Sequence, residues 1–261
     1  MTAPVAVSSL LGKRKDPETR TCAEHGDYTA QNLIADRWSG CPACTKRQVE
    51  AEALKRAEKD AADAQERWRR RIGSAGIPPR FQERTLDNFI ARNDKQQRAL
   101  DFARDYAATF AKALETGRSA IFTGKPGTGK THLAAAIGMS LLADKRKVLF
   151  TSVLRAIRRV KDSWRRESEE TESDAIRFFA EPDLLILDEV GIQFGSETEK
   201  MLLFDVLNER YEHRRPVILL TNLPVKDVQT FLGERVMDRL REDGGEAIIF
   251  DWDSYRGNPH A

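Results

Sequence analysis

The chain has only three cysteines, and all of them fall within its first 44 residues. An odd, clustered count excludes a disulfide framework distributed through the fold and leaves metal ligation as the natural use for them. Long apolar runs are missing as well: none approaches the roughly 20 residues needed to cross a bilayer. The opening MTAPVAVSSLLGKRKDPE puts a short apolar stretch before its charges, the reverse of a secretory leader, so a cytoplasmic chain is expected. A dominant sign of charge is also absent, since 43 Lys and Arg against 41 Asp and Glu leave +2. Bulk charge therefore singles out no polyanionic partner, and any such site has to be local.

What is present is 261 residues, 40% of them hydrophobic, enough to form one large domain or one medium domain with an appendage. Residues 1–20 read as a loose tail and 21–45 as a small Cys/His module. Residues 46–72 carry helix formers almost without interruption and few large apolar groups, which suits an exposed helix that docks on a partner. Gly73, Gly76, Pro78 and Pro79 are expected to break that helix and open the main domain, 73–261. From there helices and short apolar strands alternate: a helix over about 94–116, the strand SAIFTG, a helix from Lys130 to about Ala143, and the strand KVLFTS. A basic helix over about 153–166, the strand DLLILDE, a helix over about 196–213, the strand PVILLTN and a closing strand EAIIFDW complete the order. Fully apolar strands joined by helical crossovers imply a parallel sheet covered on both faces, hence a three-layer α/β domain.

Gly124-Lys125-Pro126-Gly127-Thr128-Gly129-Lys130-Thr131 satisfies G-x-x-x-x-G-K-[ST] and lies between an apolar strand and a helix, the context that this phosphate loop requires. The glycines let the backbone curl its N–H groups inward, and the helix N-terminus adds positive charge. Lys130 is placed to reach the terminal phosphates of ATP and Thr131 to hold magnesium. LLILDE ends in Asp188 and Glu189, the form taken by an acidic strand that runs beside the phosphate-loop strand. Asp188 suits the magnesium shell, and Glu189 suits activation of the attacking water. A third apolar strand ends in Asn222, which can reach the same water because parallel strands open into one crevice at their carboxyl ends.

Cys22-x-x-His25 and Cys41-x-x-Cys44, fifteen residues apart, have the spacing of two zinc ligand pairs. Four ligands leave no open position, so the zinc is expected to be structural, in a module too small to bury a core of its own. Arg155, Arg158, Arg159, Lys161 and Arg165, with Arg166, face a single acidic residue, Asp162, across one helical stretch, and Trp164 offers a stacking face. The acidic run Glu167 to Glu172 that follows is able to neutralise part of that charge.

Taken together, GKPGTGKTHLAAAI, LLILDEVG, TNLPV, LGERVMDRLRE and the ending IIFDWDSYR resemble the family of the bacterial replicative-helicase loader DnaC and its phage-borne relatives, over about residues 75–257. The resemblance implies an ATPase of the AAA+ class that uses ATP to grip single-stranded DNA while its N-terminal part holds a DnaB-type ring helicase. It also implies that Asn222 matches sensor 1 and that Arg235 and Arg239 match the box VII arginines. One of these would act as an arginine finger in a neighbouring subunit, so self-association is expected once ATP or helicase is bound. Arg256 matches sensor 2, and the basic helix corresponds to the insertion that lines the DNA path. The cysteine pairs depart from the family pattern, so the partner role of residues 1–72 is carried over by position alone. An IstB-type transposition helper shares much of this core and stands as the alternative. A metabolic P-loop kinase would need a substrate lid and a second binding pocket, and the sequence offers neither; the 223–261 segment after Asn222 is too short for the full helical lid of many AAA+ proteins, so Arg256 is expected to act from a short tail.

Overall fold

Strand β1 (Glu18–Cys22) turns back on β2 (Gly26–Ala30) through a tight reversal in which Gly26 holds a φ of +74°, so Cys22 and His25 bracket the turn. An irregular second hairpin, β3 (Asn32–Ile34) with β4 (Arg37–Trp38), leads to Cys41 and then into α1 (Pro42–Ala75), whose first turn carries Cys44. Pro42 takes the opening helical position, where a missing N–H costs nothing and the fixed φ is already helical. The computed structural model describes residues 15–34, 36–191 and 197–256. Strand β1 thus begins inside the stretch expected as a tail, of which residues 1–14 lie outside the described residues.

Helix α1 exceeds the expected 46–72 at both ends, and Gly73 is interior to it rather than a breaker. A helical glycine costs about 1 kcal/mol relative to alanine. That cost is overcome by the anchoring of the last turns: Arg71 Nη1 donates to Leu142 O at 3.0 Å, and Ala75 and Ile77 are buried. The helix stops at Gly76, whose φ of +67° is the left-handed geometry of a helix C-terminus. A Cβ there would lie 2.6 Å from Phe150 O, so the position also requires glycine for space. The chain divides into two compact units, residues 1–68 and 69–261.

In the second unit a short 3-10 turn (Pro79–Phe81) precedes α2 (Asp94–Ala108), which Asn93 caps by accepting from Gln96 N. The single helix expected over 94–116 is broken at Thr109, whose Oγ1 donates to Asp105 O at 2.8 Å, and α3 (Phe110–Thr116) follows. Then come β5 (Ala120–Gly124), α4 (Lys130–Ala143), β6 (Val148–Ser152), α5 (Val153–Asp162), α6 (Glu172–Ala180) and β7 (Leu184–Val190). The chain continues through α7 (Glu197–Glu212), β8 (Val217–Thr221), α8 (Val225–Leu232), α9 (Glu234–Arg241) and β9 (Glu246–Phe250). Helix α5 ends four residues before the expected limit because Ser163 folds back, its Oγ donating to Val160 O at 2.6 Å.

All five strands of the main sheet are parallel, in the order β6-β7-β8-β5-β9. One expectation about this sheet is corrected: β7 is not next to the phosphate-loop strand, because β8 lies between β7 and β5. Alternate strand residues face opposite layers. Ile121, Leu185, Leu187 and Leu219 join one apolar cluster with α5 to α9. Phe122 packs on Phe102 of α2, and Ile186 lies against Gly138 of α4. These are the two helical layers of a three-layer α/β domain with a phosphate-loop topology. Within it Arg210 is fully buried and donates to the carbonyls of Phe179, Ala180, Pro182, Asp183 and Pro216. It thereby closes the C-terminal end of α6 and ties together the entries of β7 and β8.

Candidate functional site: a phosphate loop and a Cys/His cluster

Between β5 and α4 the backbone takes three left-handed steps, at Gly124 (φ +135°), Gly127 (+78°) and Gly129 (+99°). A side chain would be crowded at all three, one on Gly129 falling 2.7 Å from the Phe89 ring. A Cβ on Gly124 would fall 2.1 Å from Phe250 O, and one on Gly127 would fall 2.0 Å from Ser254 Oγ. Lys130 is buried and donates from Nζ to Gly124 O (2.8 Å) and Lys125 O (2.7 Å), the posture of a lysine folded over its own loop. Burial pushes its pKa down to about 8, Asp188 raises it and Arg256 lowers it further. Thr128 Oγ1 closes the loop by donating to Lys125 O at 2.8 Å, and Lys125 Nζ lies 3.7 Å from Asp253.

The loop forms the floor of a cavity of about 500 Å³ into which Pro126, Asp188, Glu189, Asn222 and Arg256 also project. The strand ends predicted to converge therefore do so, although β7 is one strand further away than expected. Asp188 still reaches the loop because α4 crosses above β7: Thr131 Oγ1 donates to Asp188 Oδ2 at 3.3 Å. Burial raises the Asp188 pKa, partly offset by the Glu189 N–H, which donates to Oδ1 at 2.8 Å. Those two hard oxygens, side by side at the helix start, fit the ligand set that magnesium takes from a protein when phosphates supply the rest. Glu189 has a φ of +63°, and the β7–β8 register shifts between Leu187 and Val190. This local irregularity turns an exposed carboxylate into the cavity at the end of a strand that is otherwise buried.

The opposite wall was not foreseen. Arg80, Arg84, Phe89 and His132 line it, with Phe89 edge-on to His132 at 5.3 Å and His132 Nε2 3.1 Å from Thr85 O. Burial lowers the His132 pKa. The aromatic residues after Pro78-Pro79 were the available signal, in a stretch read only as a boundary. Arg235 and Arg239 do not line this cavity. Arg235 is exposed, 6.0 Å above the Phe204 ring, whereas Arg239 Nη1 donates to Asn208 Oδ1 and its guanidinium lies over Tyr211 at 4.6 Å.

On α5 the basic residues separate into two groups. Arg159 pairs with Glu170 (2.7 Å) and lies over Phe178 at 3.8 Å, Lys161 pairs with Glu199 (2.8 Å), and Arg165 pairs with Asp162 (3.0 Å). Arg155 and Arg158 are exposed and make no ion pair among the described residues. Trp164 is half exposed, and its indole N–H donates to Glu172.

In the first unit Cys22, His25, Cys41 and Cys44 bring their ligand atoms within 4.8 Å of one another. Cys22 Sγ lies 3.6 Å from Cys44 Sγ, and His25 Nδ1 lies 3.6, 3.7 and 3.3 Å from the sulfurs of Cys22, Cys41 and Cys44. A tetrahedral zinc with sulfurs at about 2.3 Å sets its ligand atoms roughly 3.5–3.8 Å apart, so the quartet fits one. The backbone N–H of Glu24, then the His25 side chain and the His25 N–H, lower the Cys22 pKa to about 6. Cys44, facing that thiol and partly desolvated, is raised to about 11, and a cation among the sulfurs would relieve this repulsion. Among described residues up to Trp68 only Ala30 and Cys41 are buried apolar groups, far too little core to order the module unaided.

A glycine cradle, a buried lysine and paired carboxylates at the carboxyl ends of a β6-β7-β8-β5-β9 sheet define a P-loop ATP-binding core of the AAA+ class. More narrowly, the chain belongs to the IstB-like ATP binding protein family, whose model matches residues 51–257. It is 36% identical over 209 residues to the replicative helicase loader DnaC of Escherichia coli K12, covering 80% of this chain and 84% of that protein. The replicative helicase loader DnaC of Buchnera aphidicola (strain APS) is 34% identical over 190 residues, 73% of this chain and 76% of the relative. Among solved structures, the crystal structure of the DnaC helicase loader aligns with a TM-score of 0.59 at 24% identity, over 67% of this chain and 100% of that one. The replication initiator DnaA bound to AMPPCP and single-stranded DNA aligns at 0.56 with 21% identity, over 68% and 51%, a likeness of fold alone.

Proposed function

We propose that the chain is an ATP-dependent loader that delivers a DnaB-type replicative helicase to single-stranded DNA. The observation that carries this reading is the 36% identity to loaders named DnaC along 84% of their length. Within that reading, residues 73–261 are the ATPase, 21–45 a zinc module and 46–72, with the tail of 1–20, the helicase-holding arm.

The chain's own residues divide the work of hydrolysis. Gly127, Thr128, Gly129 and Lys130 offer their N–H groups to the phosphates, the Lys125 N–H being taken by Phe250 O, and Lys130 Nζ leaves the Gly124 and Lys125 carbonyls to pair with them. Magnesium, held by Thr131 and Asp188, would neutralise charge on the bridging phosphates. Glu189 and Asn222 orient the attacking water, and Glu189 takes its proton. Arg256 approaches the phosphates from the tail of the same chain, whereas Arg235 and Arg239 lie away from their own cavity and serve that of a neighbour. An arginine supplied in this way accelerates hydrolysis by about 10³–10⁵ in other phosphate-loop enzymes, so turnover waits for assembly. On α5, Arg155 and Arg158 grip the DNA backbone without reading sequence.

The matching family model is described as IstB-like, and this favours a second reading as a transposition helper. Size-exclusion chromatography with ATP separates the two. The loader reading predicts co-elution with a DnaB-type helicase; no such complex, together with a stable one on a transposase, would overturn it.

A further inference from the structure

The end of the last strand and the residues after it hold the phosphate loop at several points. Phe250 O accepts from Lys125 N at 3.0 Å, Trp252 Nε1 donates to Thr128 O at 3.0 Å, and Tyr255 N donates to Gly127 O at 3.0 Å. Ser254 fills the space above Gly127 that a side chain there would need. Trp252 itself is 9% exposed and stacks on Phe250, ring centroids 4.9 Å apart, while Phe250 rests on Phe122 of β5 at 5.3 Å. The indole N–H is thus aimed from a fixed ring at one carbonyl of the cradle, and Thr128 is buried at 3% exposure.

A phosphate cradle needs inward N–H groups, and in a planar trans peptide the N–H points opposite to the preceding C=O. Each outward carbonyl therefore needs a donor on the far side, or the peptide is free to flip and close the cradle. Lys130 Nζ meets the carbonyls of Gly124 and Lys125 only until phosphate draws it away, so it gives those two no lasting hold. The carbonyls of Gly127 and Thr128 are served by the tail instead, through the Tyr255 backbone and the Trp252 indole. Holding Gly127 O fixes the Thr128 N–H, and holding Thr128 O fixes the Gly129 N–H. Gly129, at φ +99°, has the least intrinsic preference for either orientation, so its peptide depends most on an external hold.

We propose that Trp252 is a positioning residue for the nucleotide: its indole N–H, by holding the Thr128 carbonyl, aims the Gly129 N–H at the phosphates. The inference rests on the reading that this cavity takes ATP. It makes the segment after β9 part of the phosphate site through a residue that does not itself touch phosphate, in addition to Arg256, which enters the cavity directly.

The test uses the full-length protein with Mg²⁺ and the variant Trp252→Phe, which keeps an aromatic ring on Phe250 and removes the N–H donor together with part of the indole. Calorimetry should show ADP bound about tenfold more weakly, the size of effect expected when one buried hydrogen bond no longer organises a site. With helicase and DNA added so that sites assemble, KM for ATP should rise by a similar factor while kcat at saturation stays within about twofold, a split that loss of fold would not produce. The nucleotide-free variant should still melt in one cooperative transition, lowered by about a few degrees for the lost buried hydrogen bond. An ADP affinity within twofold of wild type would overturn the proposal. If the variant folds poorly, the wild type decides by NMR: a Trp252 indole proton that exchanges rapidly with solvent, or one released on ADP binding, also overturns it, and a proton protected in both states supports it. Failure of the wild type itself to bind ADP would instead remove the nucleotide reading on which the inference stands.

Discussion

Lys130 shows how far a single residue can be argued. Its place after G-x-x-x-x-G was enough to assign it to phosphate, because the cradle's chemistry lies in one contiguous run of sequence. Its ionisation was not legible, because that depends on burial and on Asp188 and Arg256, which are brought to it by other strands. With its pKa lowered to about 8, chiefly by burial, the lysine loses its charge as pH rises through that value, and with it the attraction for phosphate. Affinity for ADP should be level between about pH 7 and 7.5 and fall above about 8, approaching tenfold per pH unit. Calorimetry across pH 7 to 9.5 checks this, and a flat profile would show the amine already neutral or its pKa unperturbed. The sign for stability is opposite. From about 8 up to 10.5 the unfolded chain holds a proton that the folded one has released, so the free protein gains stability over that window. Arg80, Arg84 and Phe89 were missed for a related reason: no local pattern says that the chain after Pro79 folds back over the loop.

At the scale of elements, α5 is basic as expected, and three of the five cations expected to meet DNA already have acidic partners. Glu170, Glu199 and Asp162 already occupy Arg159, Lys161 and Arg165, and only the first and last of these acids could be guessed from nearby sequence. The double variant Arg155→Ala/Arg158→Ala should weaken single-stranded DNA binding about tenfold or more and reduce the salt slope by about 1.4, since each phosphate contact on a single strand contributes about 0.7 of a released ion. Lys161→Ala should change that slope by less than half as much. Fluorescence anisotropy over a salt series measures both. Strand order was illegible in the same sense: the sequence shows β5, β7 and β8 as apolar runs with polar ends, but not that β8 is inserted between the other two. The Cys/His spacing, by contrast, was legible because knuckles are local. Cys41→Ser/Cys44→Ser should abolish zinc content by metal analysis and unfold the first unit, while the thermal transition of the 69–261 unit persists. Zinc retained at wild-type stoichiometry would contradict the assignment.

For the whole molecule, the proposed function requires an ATP site completed between copies. Asp188, Glu189, Asn222 and Arg256 meet in one chain's cavity, while Arg239 is held elsewhere by Asn208 and Tyr211. Mixing two inactive variants makes this visible. Glu189→Gln lacks the water-activating carboxylate, Arg239→Ala lacks the donated guanidinium, and a mixed assembly contains some sites with both groups intact. ATPase activity absent from either variant alone should reappear in the equimolar mixture with helicase and DNA, to a fraction of the wild-type rate. No recovery would place the arginine's role within its own chain or assign it to Arg235. The central claim is that ATP held by this cradle drives delivery of a ring helicase to single-stranded DNA. A helicase-loading assay comparing wild type, Lys130→Ala and Arg239→Ala tests it most directly. The account predicts loading by the wild type and loss with both variants; loading that proceeds undiminished with Lys130→Ala would contradict it.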